Sequence, residues 1–452
     1  MSFADSFADD SVNTMALDST SVRNCVLRRT PLFGAYAALL LFMCIYCARP
    51  EDWIPGMSHV PLAKIAAILA LLALAVSLQH IRDRMPREVH FLILLTAQLF
   101  AASVLSPVWR GGAFLSTLNF AKGLLVVLII SATVSTLQRL RLLIFTQAIS
   151  ISAIAAVTIW KGHLIDGRLE GILGGQYADP NDLALAIIIS LPMCLALLFL
   201  SRNNLWKIMW STSILLMLYA VFLTGSRGGF LALVVAAVVS LWEFAIRGRR
   251  HYLLALAALA GLVLLLSAGG MVIGRLKGTF NVKEDTAAAY DSAQSRRQLL
   301  FRSFEVTMEH PIFGIGPGNF PQVSGQWHTT HNSLTLMSSE GGVPALILYV
   351  LILWCGFKNL RGTKRLAPGR PESKLLAGAL LASLAGYAVG SLFLSVAYEF
   401  FPYFMVAYTT ALFSIERKFA AQSRKVELAQ RPGKQKKLYV NPEESEMSFL
   451  TP

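Results

Sequence analysis

DLALAIIISLPMCLALLFLSRNNLWKIMWSTSILLMLYAVFLTGSRGGFLALVVAAVVSLWEFAIRGRR, residues 182–250, decides the fold. It holds three apolar runs, 182–200, 205–223 and 230–246, parted by SRNN and TGSRGG and closed by RGRR. Each approaches the ~20 residues that a helix needs to cross ~30 Å of hydrocarbon at ~1.5 Å per residue. No polar stripe runs along them, so their surroundings must be apolar on every side. The same pattern recurs at 32–48, 60–79, 88–105, 113–135 and 140–160, and again at 252–273, 343–357, 374–396 and 399–415. The expectation is an all-α polytopic membrane protein with about 12 transmembrane helices. The segments at 32–48 and 343–357 are short, and Pro402 is expected to interrupt the last.

Composition agrees. Of 452 residues, 55% are apolar and 15% charged, which excludes an ordinary soluble globule and a long disordered chain. The 40 Lys and Arg against 26 Asp and Glu give a net charge of +14. That excess sits in short clusters between apolar runs instead of forming a basic face, so no nucleic-acid partner is expected. Cys44 and Cys47 form a C-x-x-C, but no second pair or nearby His completes a metal site, and no disulfide framework is read.

Basic connections orient the spans. Arg82, Arg84 and Arg87, Arg139 and Arg141, Arg202 and Lys207, and Arg247, Arg249 and Arg250 all fall on one side when the N-terminus is cytoplasmic. The expected plan is a cytoplasmic segment 1–31, spans one to nine over 32–273, and a large periplasmic loop 274–342 containing short helices. Spans ten to twelve follow over 343–415, and a basic, disordered cytoplasmic tail over 416–452. The run 32–48 lacks a small-residue exit and is expected to remain as a signal anchor. The tail's basic cluster suits contact with anionic membrane lipids. Internal repeats, which would suggest a transporter's paired halves, are not evident.

Three outer connections carry unusual residues. Gly174–Asp182 (GGQYADPND) enters the sixth span, and Thr224–Gly229 (TGSRGG) joins the seventh to the eighth. The large loop carries Ser295–Glu309 (SRRQLLFRSFEVTME), a helical pattern in which Leu299, Leu300, Phe304 and Met308 share a face suited to the membrane interface or to capping the bundle. HPIFGIGPGNF at 310–320, WHTTHNSL at 327–334 and EGG at 340–342 complete it.

DPNDLA at 179–184, SRGG at 226–229, R-x-x-x-F at 297–301, the 310–320 run, HNSL at 331–334 and EGG, in that order on one face, resemble the O-antigen ligase and polymerase superfamily of bacterial envelope glycan enzymes. The resemblance covers about 170–345 and extends to the first five spans only through hydropathy. It implies a metal-independent, cofactor-free glycosyltransferase of the GT-C-like membrane fold in the bacterial inner membrane, with its site periplasmic. The implied donor is a glycan on undecaprenyl diphosphate. The implied acceptor is a lipid A-core sugar in ligases, a second carrier-linked glycan in polymerases, or a protein hydroxyl in O-oligosaccharyltransferases. One dominant outer loop favours the ligase. A lipid-linked glycan transporter fits less well, because the polar residues gather at one face and not at mid-membrane.

Displacing a diphosphate from an anomeric carbon requires a base, cations for the leaving group and a groove for the polyprenyl tail. His331 is the candidate base, since imidazole titrates near working pH. The bland reading is a loop histidine bonded to a helix end, and His328 competes. Arg227 and Arg297 are the candidate diphosphate ligands, because guanidinium pairs bidentately with phosphate. Headgroup contact and a solvated helix face are their alternatives, and the doublet Arg296-Arg297 leaves a one-residue ambiguity. Lys64 and Lys122 lie within spans, where a cation is disfavoured by about 2.5–3.5 kcal/mol. Lys64 can snorkel, whereas Lys122 needs an acceptor inside the bundle, either a substrate phosphate or a carboxylate such as Glu340. Asn181 and Asn332 join the substrate-binding candidates, and Glu340 either orients His331 or caps the following span. Asp179 reads as a helix N-cap before Pro180. Gly314, Gly316 and Gly318 offer amides to phosphate or simply form turns. No D-x-D occurs in an outer loop, which fits Arg and Lys acting as the charge clamp.

Overall fold

A computed structural model describes residues 32–54, 85–162, 177–262 and 287–430, together with scattered positions at 56–75 and 164–171. The expected segment 1–31, most of span 60–79, the end of span 252–273 and residues 431–452 lie outside the described set. Among the described residues nine helices are long and apolar enough to cross a membrane.

The helices, numbered here in chain order, are α1 (Phe33–Ala48), α2 (Arg87–Val104), α3 (Arg110–Thr133), α4 (Leu137–Lys161), α5 (Pro180–Leu200), α6 (Asn204–Thr224) and α7 (Arg227–Ser240). A π-helix, Leu241–Ile246, continues α7. Then come α8 (Ala287–Glu309), the four-residue α9 (Phe320–Val323), α10 (Ser333–Leu366), α11 (Pro371–Gly390) and α12 (Phe401–Gln430). A two-stranded antiparallel hairpin, β1 (Leu164–Ile165) with β2 (Arg168–Leu169), bridges α4 and α5.

One of the helices that are apolar all round takes the centre. α5 packs on α4, α6, α7 and α11 and is buried along most of its length. α6 and α7 bury one side and expose Leu215, Tyr219, Leu231 and Val238 outward, as lipid-facing helices do. Where α7 meets α11 the contact is made by small residues. Gly386 and Gly390 oppose Ala232 and Ala236, and a Cβ on Gly390 would fall 2.6 Å from Leu185 Cδ1. Such spacing lets two backbones approach without the hydrophobic effect to drive them. Polar side chains inside the bundle pair across helices: the Tyr408 hydroxyl donates to Gln147 at 2.9 Å, and Tyr349 meets Tyr387 at 2.7 Å, while the buried Ser383 hydroxyl has no hydrogen-bond partner among the described residues.

Four expectations need correction. α10 starts at Ser333, not at 343, and so takes the last ten residues of the expected loop. It is two helical stretches joined at Gly342, whose φ of 81° and ψ of 172° suit glycine alone. A Cβ there would lie 2.2 Å from the Ile312 carbonyl oxygen, so the break lets the 311–313 chain pass against the helix. Pro402 does not interrupt the last helix. It is the second residue of α12, where a missing N–H leaves no bond unmade. The tail expected to be disordered from 416 is helical to Gln430, and Glu416 is fully buried, accepting from Ser373 at 2.7 Å and pairing with Arg370 at 2.9 Å. Lastly, the loop's main helix is not short: α8 has 23 residues.

The sequence of α8 allows two placements, at the membrane interface or capping the bundle. Leu299, Ser303, Val306 and Thr307 are buried, and Thr307 bonds Ser338 of α10 at 2.9 Å. The face expected to be shared by Leu299, Leu300, Phe304 and Met308 is divided: Leu299 is buried, whereas Phe304 and Met308 point outward with Phe301 and Ile312.

Candidate functional site

Four chain ends meet at one end of the bundle. α5 opens on Asp179, whose carboxylate accepts from the Asn181 backbone N–H at 2.6 Å, with Pro180 in the first turn. α6 closes on Gly225 at φ 57°, and α7 opens at once on Ser226, whose hydroxyl oxygen accepts from Gly229 N–H at 3.0 Å. Arg227 is therefore the first residue of α7, held by back-to-back helix caps. α10 opens on Asn332, whose side-chain oxygen accepts from Leu334 N–H at 2.8 Å and Thr335 N–H at 3.2 Å. His331 stands immediately before that cap.

Asn181 ties these ends together. Its side-chain oxygen accepts from Ser226 at 2.7 Å and from Arg168 of the hairpin at 3.1 Å, while its amide donates to Asp179 at 2.9 Å. Arg168 also donates to the Thr224 carbonyl at 3.0 Å. Asn181, expected among the substrate ligands, is buried and fully engaged in positioning the α5, α6 and α7 ends. Asn332, likewise expected to bind substrate, serves as an N-cap.

The His331 strand is fixed from the other side by 391–400, the chain between α11 and α12. Ser333 donates to the Leu394 carbonyl at 2.6 Å, accepts from Val396 N–H at 3.0 Å, and its own N–H donates to Ser391 at 2.8 Å. Phe393 of the same segment presses on Gly228, where a Cβ would come within 2.6 Å of its Cβ. Within this clamp His331 has φ 50°, a left-handed conformation uncommon outside glycine, though histidine is among the side chains that adopt it more readily. The buried Thr330 hydroxyl donates to the Asn332 carbonyl at 2.7 Å and accepts from its N–H at 3.2 Å, closing the turn around the imidazole.

Charge brings the remaining parts together. Burial pushes the His331 imidazole below its ordinary value; the positive Arg296 and then His328 push it the same way, and Asp179 opposes them. Burial likewise lowers Arg296, with Asp179 opposing and Arg227 reinforcing. Asp179 is thus the carboxylate that opposes both His331 and Arg296, with His328 beside the first and Arg227 beside the second. Arg297, the arginine expected from the sequence, is not among these side chains. It is exposed, its guanidinium lying 5.6 Å from the Phe301 ring centroid.

The remaining expected residues lie elsewhere. The Lys122 ammonium donates to Asn119, one turn back on α3, at 2.6 Å, which supplies the acceptor sought in Glu340 or a substrate. Lys64 is helical and exposed, whereas His328, also exposed, belongs with the charges beside His331. Glu340 is 1% exposed and faces the backbone of the glycine-rich loop, its two oxygens accepting from Gly318 N–H at 2.8 Å and Phe320 N–H at 2.9 Å. The Gly314 amide donates to the His310 carbonyl at 2.9 Å, and Gly316 to that of Glu340 at 2.9 Å, so the loop's amides are engaged and offer no phosphate cradle. Glu340→Ala would strip two buried N–H groups of their acceptor, each worth about 1–3 kcal/mol. A fall in thermal unfolding temperature, with activity per folded molecule largely kept in Glu340→Gln, is the expected outcome.

Sequence reasoning missed Arg168, Asp182 and Glu399. Arg168 falls in a segment with no hydropathy signal, and its register opposite Asn181 is a tertiary fact. Asp182 and Glu399 line a cavity of about 20 Å³ behind Asp179, room for about one water and too small for a sugar. The Tyr46 hydroxyl donates to Glu399 at 3.2 Å. Among the described residues no cluster of three His, Cys, Asp or Glu is placed to hold a metal ion.

Residues 212–350 match the family model described as O-antigen ligase. The matched stretch contains Arg227, Arg296, His331 and Glu340, whereas Asp179 and Asn181 precede it. No curated protein matches the chain.

Proposed function

From the premise that the chain belongs to the O-antigen ligase family through residues 212–350, we propose that it transfers a glycan from undecaprenyl diphosphate to an acceptor hydroxyl, a lipid A-core sugar. The reaction is placed on the periplasmic face of the inner membrane, in a GT-C-like bundle with cytoplasmic termini. The observation that carries the reading is the convergence of the helix ends bearing Arg227 and His331 with Arg296 at one end of the bundle, where Asp179 is the counter-charge to Arg296 and His331.

The chemistry follows from those groups. An acceptor hydroxyl beside His331 gives its proton to the neutral imidazole as its oxygen attacks the anomeric carbon. The bond from that carbon to the diphosphate oxygen breaks with its electron pair leaving on the phosphate, which inverts the anomeric centre. Arg227 and Arg296 hold the phosphate charge that grows in this step, so stabilisation is larger in the transition state than in the ground state. Guanidinium groups supply here the positive charge that a divalent cation supplies in other phosphate-leaving-group reactions. The outward apolar side of α8, with Phe301, Phe304 and Met308, suits the membrane interface near a polyprenyl carrier.

The test is reconstitution with carrier-linked glycan and, in separate arms, lipid A-core, a second carrier-linked glycan and a hydroxyl-bearing protein. Gain in mass of lipid A-core alone is expected. Gain in mass of the second glycan instead identifies a polymerase, and of the protein an O-oligosaccharyltransferase. Transfer is expected to survive EDTA, and its restoration by Mg²⁺ after EDTA loss would overturn the metal-independent step. Arg227→Ala is expected to be inactive and Arg227→Lys weak, because an ammonium cannot present the guanidinium's paired donors. Equal activity of the lysine variant and the parent protein would reduce Arg227 to a surface anchor.

A further inference from the structure

At the end of the bundle away from His331, α7 leaves its regular course. Leu241–Ile246 is a π-helix, a form rare enough that it often marks a working site. From Arg227 to Arg247 the rise is about 30 Å, so nothing here belongs to the site described above. The bulge turns Trp242 outward to 50% exposure while keeping the Glu243 side chain buried. Across from it stand Phe357, Leu360, Arg361 and Lys364 of α10 and Leu381 of α11, enclosing a groove of about 610 Å³. A second hollow of about 410 Å³ adjoins it, sharing Glu243, Arg247 and Lys364 and adding Arg250 and Lys374.

The two hollows have a consistent polarity. Their wall, from Val238 through Trp242 and Ile246 to Phe357, is apolar and lies along helices that span the membrane. Their rim carries Arg247, Arg250, Arg361, Lys364 and Lys374 against one carboxylate, Glu243. That carboxylate already pairs with Lys364 at 2.8 Å and Arg247 at 3.1 Å, so it cannot balance the others. A small soluble anion would use the rim and leave the wall unexplained. A neutral lipid would use the wall and leave the charge unexplained. Basic pockets between spanning helices are suited to anionic headgroups.

We propose that this groove binds an anionic diacyl phospholipid, with its phosphate at Arg247, Arg361 and Lys364 and one acyl chain along Val238, Trp242 and Phe357. The site stands whether or not the glycan-transfer reading does, because it shares no residue with it.

The test uses the full chain purified in neutral detergent, equilibrated with equal amounts of phosphatidylglycerol and phosphatidylcholine and read by native mass spectrometry. Preferential retention of phosphatidylglycerol is expected. Arg361→Gln should lower it about fivefold, the worth of one basic side chain near an anionic headgroup. The Arg361 side chain is exposed and lies over the Trp354 ring, so its loss leaves the fold intact. Val238→Trp alters no charge, fills the wall and should also lower retention. Arg365→Gln, exposed on the same helix and outside the groove, should leave retention unchanged. Equal retention of the two lipids, or an equal loss in Arg365→Gln, would overturn the proposal. So would displacement by inorganic phosphate with no effect of Val238→Trp, which would make the site one for a free anion.

Discussion

Alanine at His331 is expected to lower glycan transfer by about a hundred- to ten-thousand-fold, the usual worth of a positioned general base. Expression and membrane insertion should be unchanged, because the surrounding turn is held by Thr330, Asn332 and Ser333, whose bonds do not involve the imidazole. The alanine variant even keeps the left-handed backbone at that position, at a modest energetic penalty, so misfolding is not the expected cause of inactivity. Proton abstraction also predicts a pH signature. The pH dependence of kcat/KM reports groups of the free enzyme, and the neutral imidazole is the working form. Since burial, Arg296 and His328 push His331 below its ordinary value, the acid limb should have its midpoint below the usual ~6.5, with activity falling as pH drops through it. Arg296→Gln removes a positive neighbour, so the midpoint should rise. Asp179→Asn removes the opposing negative charge, so the midpoint should fall further. Asparagine also caps helices, so that variant keeps the start of α5. A limb unmoved by both substitutions, or full activity in His331→Ala, would remove the imidazole from the chemistry.

Local features of the site were legible in the sequence, and tertiary ones were not. Asp179 before Pro180 reads as a helix start because a cap involves only its own next residues, and the structure has it so. The runs 182–200, 205–223 and 230–246 read alike as lacking a polar stripe, so the central place of α5 and the outer places of α6 and α7 are tertiary facts. Ser333–Gly341 escaped because its hydroxyls and Glu340 read as solvent-facing loop. The structure buries them against α8, the glycine-rich loop and the 391–400 segment, where each finds a partner. The facing of α8 is likewise a tertiary fact. Grouping Leu299, Leu300, Phe304 and Met308 on one face leaves open whether that face meets the membrane interface or the bundle. The structure divides them: Leu299 packs on the bundle beside Ser303, Val306 and Thr307, and Phe304 and Met308 turn outward. Lys122 was read as needing a distant partner, although Asn119 three residues earlier lies on its own helix face.

The facing of α8 decides between the two adjacent arginines and yields the second large effect. Arg296→Ala is expected to lower transfer about a hundred- to a thousand-fold, the range for loss of one preorganised donor to developing charge. Arg297→Ala should change it only a few-fold, since its exposed stacking on Phe301 is a contact worth about 0.5–1 kcal/mol. One residue turns a helix by about 100°, so the two guanidiniums cannot serve the same anion from a rigid α8. The phase of α8 is set by Leu299, Ser303 and Val306 against α10, and it gives the cluster to Arg296. The loss should fall on kcat more than on KM if Arg296 acts on the departing diphosphate, because the charge it meets is greatest in the transition state. Arg227→Ala combined with Arg296→Ala should lose less than the product of the single effects, since both would serve one leaving group. If Arg297→Ala proves the inactive variant and Arg296→Ala the active one, α8 must rotate when substrate binds, and the charge-coupled group around Asp179 is not the working arrangement.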